Sequence, residues 1–469
     1  METGKNGKVV SVMSPFKLQD KNTNFLAEMI AGMTTFITVS YLLVQCPKLV
    51  AESGVSEASA YLTICLAAAA GCLAVGLLAN QPFVLAPSLG MTVFFTSTLV
   101  VEMKYTYSQA LALTLIGSLL YLVLSLTGGE KLIYGAVPMG VKRGVSTGLG
   151  ICIALIGFKN AGIITYASGG LWRLVDFSEP SKQLFTTVVM LSGILAAVFL
   201  QKTRVPFPNL FGILFSGAVY YILGMRHGYA DLTDLSPDLG SVNGKQIASW
   251  ASECLFKNCT SGISGLFLGI RFDLKTFLTL FFVIVICALF NATETAGVVY
   301  TTARSAGTLD DGGNFGELQK VSFSNAISSI AASCFGAPMV TVTAESGAGI
   351  SVGGKTGLTA VTAGIFFLLA ALFTPLVNVV PPVVTACAMV LLGVSMLAAA
   401  KDIDFGESTE AIPAFLTVMT ITFTSSIIDG IAIGLIAHIA LIVVSLKFQS
   451  LKIMELILCA LFCIAYFRL

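Results

Sequence analysis

Charge is what this sequence has least of: Asp, Glu, Lys and Arg together make 11% of 469 residues, while 56% are hydrophobic. Soluble domains carry about 25% charged residues. This chain cannot hide so much apolar surface from water, and it reads as an all-α polytopic membrane protein. Its charges nearly cancel, at net +1, which gives no hint of nucleic-acid binding. Histidine is almost absent, with His227 and His438 alone, and the 11 cysteines form no CxxC or Cys/His spacing. Neither a metal site nor a redox pair is expected. Cys65, Cys72, Cys152, Cys287, Cys387, Cys459 and Cys463 lie within apolar runs, where the thiol behaves as a small hydrophobe. No apolar core precedes Phe25, only Lys5, Lys8, Lys17 and Lys21 among polar residues, so a cleavable leader is not expected. No nucleophile–base pair stands out either, and an enzyme is the least expected class.

What is present is a series of apolar runs. A span needs about 20 mostly apolar residues. Candidates are 25–46, 57–79, 84–101, 106–126, 137–163, 182–200, 207–224, 275–300, 321–337, 343–356, 357–378, 382–399, 411–446 (long enough for a broken pair) and 452–467, about fourteen in all. The longest polar interruption, 225–274, leaves seven candidates on either side. An odd number per half inverts the halves relative to each other. The third and tenth candidates, 84–101 and 343–356, are too short and too rich in Gly or Pro to span as plain helices. Such segments at matching positions of two halves are the sequence mark of a carrier's binding site.

Orientation follows from lysine and arginine. The N-terminal lysines and the Lys202/Arg204 turn fall on one side, which predicts a cytoplasmic N-terminus and an external 225–274 loop. That loop holds Cys254, Cys259 and the sequon Asn258-Cys259-Thr260. It leaves open a disulfide or two free thiols, and a glycan or a chance sequon.

Two carboxylates stand inside this apolar frame. Glu294 lies in the turn Asn291–Gly297 of the eighth candidate, and Glu345 in Thr341–Gly349 of the tenth. A charge at bilayer depth is costly and usually faces a polar pathway; a structural carboxylate pinning helices is the other reading. In the third candidate, Pro87 removes a backbone donor and Gly90 frees the chain from helical geometry. An extended piece and then a helix beginning near Ser88 are expected. In the tenth, alternating Val and Thr favour an extended stretch before a half-helix that opens at Glu345. Each such start would leave free N–H groups and a positive dipole end in the membrane.

Gly349–Thr356 matches GxxxxGK[ST] letter for letter. A phosphate loop needs a strand before it, a helix after it and a soluble α/β domain around it. Apolar segments flank this one, so ATP is not expected as a ligand, and Lys355 reads as a lysine at a cytoplasmic helix end. His438 is intramembrane, which is compatible with a proton path or with simple packing.

At these residues the chain resembles the nucleobase–cation symporter family 2, in its AzgA-like branch of purine permeases. The stretches that carry the resemblance are Glu28–Tyr41, Ala79–Gly90, Val137–Ile164, Glu345–Gly349 with Gly353–Ala360, and Thr409–Thr417 with Asp429–Gly434. The resemblance implies fourteen segments in two inverted repeats of seven, with a core domain rocking against a gate domain. On that basis 1–24 is a cytoplasmic tail, 25–126 and 275–378 form the core, 127–224 and 379–469 the gate, and 225–274 the loop between repeats. It also implies proton-coupled uptake of adenine, guanine or hypoxanthine through a plasma or bacterial inner membrane, usually by a homodimer. No cofactor is implied beyond the proton as coupling ion. The family's acidic residue of the eighth segment and glutamate of the tenth map to Glu294 and Glu345.

Two departures bear on the substrate. The family's Asp-Thr-x-Gly-Thr reads Glu294-Thr-Ala-Gly297-Val here, closer to the xanthine/uracil branch, and its Ala-Pro-Gly-Met-Gly-x-Asn reads Ala86-Pro-Ser-Leu-Gly-Met-Thr92. Which base is preferred stays open. The expected site comprises Glu294, Glu345, Thr343, Ala344, Ser346, Ser88, Leu89, Gly90 and Thr92, with Phe94 or Phe95 stacking on the base. A carboxylate removed from water resists ionisation, and a second one nearby adds to this; Glu294 is assigned the proton and Glu345 the base. The competing classes are a xanthine/uracil-type symporter, a uniporter or channel, and an anion transporter of the same architecture, which two acidic site residues would disfavour.

Overall fold

The computed structural model describes residues 16–128, 137–166, 172–174, 182–203, 208–227, 229, 257–268, 274–306, 315–373, 381–424, 426–446, 455–456 and 459–460. Helices α1 (Phe25–Val39) and α2 (Leu42–Ala51) meet at a 41° bend. Then come α3 (Glu57–Ala74), prolonged by a π-helical turn Val75–Ala79, and strand β1 (Leu85–Ala86). Helix α4 (Leu89–Val93) continues as a π-helix, Phe94–Glu102, and α5 (Tyr107–Thr127) and α6 (Met139–Asn160) follow. A hairpin of β2 (Ile164–Tyr166) and β3 (Trp172–Leu174) precedes α7 (Lys182–Lys202) and α8 (Pro208–His227). The second half holds α9 (Lys257–Leu268), α10 (Leu274–Ala306), α11 (Leu318–Phe335), β4 (Thr341–Val342), α12 (Ser346–Ser351) and α13 (Gly357–Ala371). It ends in α14 (Pro382–Leu397), α15 (Ser408–Thr424) and α16 (Ile427–Val444). Among the described residues, six helices are long and apolar enough to cross a membrane, or seven with the bent pair α1–α2 counted as one span. The protein is a helical, polytopic membrane protein.

Local chemistry explains where the helices start. Asn24 caps α1 by accepting from the Ala27 N–H at 2.8 Å. Thr106 and Gln109 form a reciprocal capping box at α5. Ser426 caps α16, and this cap divides the apolar stretch 411–446 into the two helices α15 and α16. Of the run 452–467, only Glu455, Leu456, Cys459 and Ala460 are described.

The helices pack in two groups. In one, α3 lies against α11 and α13, α5 against α10 and α11, and α13 against α1. In the other, α6 lies against α14 and α15, and α14 against α7 and α8. At the crossing of α6 and α14 the backbones nearly touch: a Cβ on Gly150 would sit 2.8 Å from the Gly393 carbonyl oxygen. Small residues at such crossings let transmembrane helices approach closely, where van der Waals packing replaces the hydrophobic effect as the driving force.

Two features depart from the sequence expectation. The interval 225–274 is not all loop, because α9 lies within it and packs on α5. Ile263 and Leu266 give this short helix an apolar side, with Leu266 buried. The β2–β3 hairpin was likewise not foreseen. The expectations for Cys254, the Asn258 side chain and Arg204 lie outside the described residues.

The segment whose letters match a phosphate loop has an internal anion of its own. Glu28 of α1 is fully buried. Its carboxylate accepts from the Lys355 N–H at 3.0 Å, the Thr356 N–H at 3.2 Å and the Thr359 hydroxyl at 2.5 Å. These groups open α13, where a carboxylate complements the unpaired N–H groups and the helix dipole. The Lys355 ammonium donates to the Asn22 carbonyl at 3.4 Å. Glu28→Ala would leave the buried Thr356 N–H and the part-buried Lys355 N–H without their acceptor, while the Thr359 hydroxyl keeps the Glu28 carbonyl at 3.5 Å. At about 1–3 kcal/mol for each buried group left unpaired, a melting temperature in detergent many degrees lower is expected.

Candidate functional site

The site is built where the two halves of the chain meet. Strand β1 pairs antiparallel with β4, Leu85 opposite Val342 and Ala86 opposite Thr341. The Thr343 N–H donates to the Val84 carbonyl at 2.9 Å, and the Val84 N–H to the Ser346 hydroxyl at 2.9 Å. Each strand then turns into a short helix: β1 into α4 through Pro87 and Ser88, β4 into α12 through Thr343, Ala344 and Glu345. The β-branched run around Thr341 and Val342 favours β4, and the break at Pro87 and the small residues after Glu345 release the chain into helix. Irregular backbone at membrane depth is tolerated where it is buried in protein or lines a cavity.

A cavity of about 500 Å³ opens at these helix starts. Ser88, Leu89, Gly90, Glu294, Thr343, Ala344 and Glu345 line it, as the sequence led us to expect. The opposite wall comes from α6, through Lys142, Val145 and Leu149, and from α14 with the 3-10 turn that follows it, through Leu392, Met396 and Asp402. The cavity therefore lies between the two helix groups.

Both glutamates are held by hydroxyls of the first half. Ser88 caps α4 by accepting from the Met91 N–H at 3.1 Å, and its hydroxyl donates to Glu294 Oε1 at 2.7 Å. The other carboxylate oxygen of Glu294 is buried and has no hydrogen-bond partner. Tyr41, at the bend between α1 and α2, donates its phenolic hydroxyl to Glu345 Oε1 at 2.6 Å. Charge-assisted O–H···O bonds of this length are among the stronger polar contacts a protein makes. Gly90 keeps the space in front of Glu294 open, because a Cβ there would lie 3.3 Å from Glu294 Oε1 and 2.9 Å from a Leu149 methyl.

Four expected residues lie outside the cavity lining. The Thr92 hydroxyl is buried and bonds the Ser88 carbonyl at 2.8 Å. Ser346 uses its hydroxyl on the Val84 N–H. Phe94 is fully buried, with its ring 5.5 Å from that of Phe290, and Phe95 packs edge-on against Tyr107. The phenylalanine that does line the cavity is Phe290. It stands four residues before Glu294 and so on the same helix face, a spacing from which it could have been found. Tyr41, Thr293, Lys142 and Asp402 are further lining residues that the sequence reading missed. Lys142 was open to discovery by the rule that picked out the glutamates, since it is a charge inside an apolar run.

His438 is absent from the lining; its Nδ1 lies 3.0 Å from the Thr409 carbonyl oxygen. Among the described residues no three His, Cys, Asp or Glu side chains converge as they would around a metal ion. Behind Glu294, a buried network ties α10 to α11. Asn325 donates to Asn291 at 2.6 Å and to Thr295 at 2.7 Å, and Asn291 donates to Ser329 at 2.9 Å. Polar contacts of this kind set the register of helices within a membrane.

Residues 26–433 match the model of the xanthine/uracil permeases, described as a permease family. An adenine permease of Escherichia coli K12, AdeQ, is 29% identical over 447 residues, covering 95% of this chain and 94% of its own length. A guanine/hypoxanthine permease of Bacillus subtilis 168, PbuO, is 27% identical over 430 residues, covering 90% and 93%. Among solved structures, the transmembrane domain of a cyanobacterial bicarbonate transporter, BicA, superposes with a TM-score of 0.63 at 16% identity, covering 89% of this chain and 97% of its own. That likeness concerns the fold.

Proposed function

The chain belongs to the xanthine/uracil permease family, and on that premise we propose that it carries a purine base across the membrane together with a proton. It is a nucleobase permease and not an enzyme. The observation that carries the finer reading is the pair Glu294 and Glu345 on one cavity, each with one oxygen engaged by a hydroxyl, with Leu89 and Phe290 as apolar members of the same lining. A purine offers N–H donors on its edge and apolar faces above and below. Glu345 accepts from the edge, Phe290 and Leu89 pack on the faces, and the free oxygen of Glu294 takes the transported proton. Purine relatives support the substrate class: AdeQ is an adenine permease and PbuO a guanine/hypoxanthine permease.

Access alternates as the group containing α3, α5, α10 and α13 moves against the group containing α6 and α14, with the cavity at the seam. The working unit is a homodimer in the plasma or bacterial inner membrane, with a cytoplasmic N-terminus and no use of ATP. The Glu294-Thr-Ala-Gly297 motif favours a second reading, in which xanthine or uracil is the preferred base. Equilibrium binding of radiolabelled adenine and hypoxanthine to the purified protein, with competition by guanine, xanthine and uracil, separates the two. The purine reading expects displacement by guanine and none by uracil. Displacement by uracil or xanthine alone would replace it with the second reading.

A further inference from the structure

Helix α2 touches both breaks of the site and the opposite helix group. At its start, Tyr41 is 2% exposed and donates to Glu345 Oε1 at 2.6 Å. One turn later, the Gln45 amide donates to the Thr385 carbonyl of α14 at 2.9 Å, from an equally buried position. The next residue, Cys46, has its sulfur 3.5 Å from the Pro87 carbonyl at the other break. Tyr41 and Gln45 are four residues apart, which puts them on one face of the helix. A single helical turn therefore joins the glutamate of the second half to α14, which packs with α6, α7 and α8.

From these contacts we infer that Tyr41 is a positioning residue for Glu345, and that α2 passes the state of that glutamate to α14 through Gln45. The inference rests on the base-carrier reading given above. The Tyr41 hydroxyl holds the carboxylate in one orientation and engages one of its oxygens. An arriving base takes the other oxygen, so two donors then share one carboxylate and loading the site weakens its hold on Tyr41. Tyr41 stands at the 41° bend between α1 and α2. There the Ser40 hydroxyl competes for helix backbone by bonding the Ile37 carbonyl at 2.7 Å. A break of this kind lets α2 tilt without unwinding α1. At the far end, the Gln45 amide is only half satisfied: its Oε1 is buried with no hydrogen-bond partner. A buried amide oxygen gains by finding a donor, so this seating of α2 on α14 has another to compete with it.

The test is uptake of tritiated adenine and hypoxanthine by the full-length protein in proteoliposomes, with equilibrium binding and melting temperature measured in detergent. Tyr41→Phe keeps the ring and removes the hydroxyl; it is expected to raise KM about tenfold and to leave Vmax within about twofold, as loss of one charge-assisted hydrogen bond predicts. Gln45→Met keeps the length and removes the donor. It is expected to do the reverse, lowering Vmax about tenfold with the equilibrium Kd within about twofold. Tyr41→Phe at wild-type KM, with wild-type uptake intact, would overturn the positioning role alone. Gln45→Met at wild-type Vmax would overturn the link to α14. Lower melting temperatures in both variants with transport constants unchanged would reduce both contacts to packing. A wild-type protein that takes up and binds neither base would overturn the inference together with the carrier reading beneath it.

Discussion

Glu345→Gln is expected to abolish measurable base binding while leaving the protein folded. The substitution is isosteric, and the backbone around it is held by other groups: the β1–β4 pairing, the Thr343 N–H on the Val84 carbonyl and the Ser346 hydroxyl on the Val84 N–H. What disappears is the charge. A hydrogen bond to a charged group contributes about 1.5–3 kcal/mol, and every 1.4 kcal/mol or so is about tenfold in affinity. Loss of the bond to the base alone weakens binding about tenfold to a hundredfold. The amide adds to this, because it turns an N–H₂ donor toward either the Tyr41 hydroxyl or the base, where a carboxylate only accepted. Isothermal titration of the purified variant with adenine and hypoxanthine checks the prediction. Wild-type affinity would remove Glu345 from the site.

Glu294→Gln is expected to separate binding from accumulation. Glu294 has one oxygen on the Ser88 hydroxyl and one buried oxygen without a partner. A glutamine mimics the protonated acid in shape and cannot release a proton. The variant should therefore bind base and exchange it across the membrane, since exchange of base for base needs no net proton movement. It should fail to concentrate base against a gradient, however steep the proton gradient imposed. Counterflow and concentrative uptake measured on the same proteoliposomes distinguish these two modes. If Glu294→Gln still accumulates base in response to a proton gradient, the proton travels on another group.

Much of the site was legible because a charge in an apolar run has so few physical explanations. Glu294 and Glu345 were singled out on that ground, and the structure brings both to one cavity. The breaks of the third and tenth segments were legible for a related reason. Pro87 denies a helix one of its backbone donors, and alternating Val and Thr favour strand, so extended stretches at β1 and β4 followed from local chemistry. Facing was harder to read. Phe94 begins a π-helix, whose wider turn shifts side chains from the positions that a regular helix predicts. Phe94 consequently packs inward on Phe290, and the residue one turn before Glu294 takes the place at the cavity. Tyr41 carried no signal of its own. Its role depends on a partner 304 residues away, and that proximity comes from the packing of the two halves, which no local pattern records. The same holds for Glu28, whose three donors begin 327 residues downstream. The letters Gly349–Thr356 were set aside as a phosphate loop on context alone, and only the packing reveals that Glu28 accepts from the Lys355 and Thr356 N–H groups. Within 411–446 the boundary is a single serine cap, and two helices end to end give the same hydropathy as one long one.

In the proposed mechanism, base movement is coupled to a proton through a site built on two glutamates. The measurement that tests it most directly is uptake of tritiated hypoxanthine and adenine into proteoliposomes without ATP, with and without an inward proton gradient. Accumulation is expected to follow the gradient, to collapse when a protonophore dissipates it, and to be blocked by excess unlabelled purine. Uptake that only equilibrates the base, at the same rate whether or not the gradient is present, would contradict it and make the protein a uniporter.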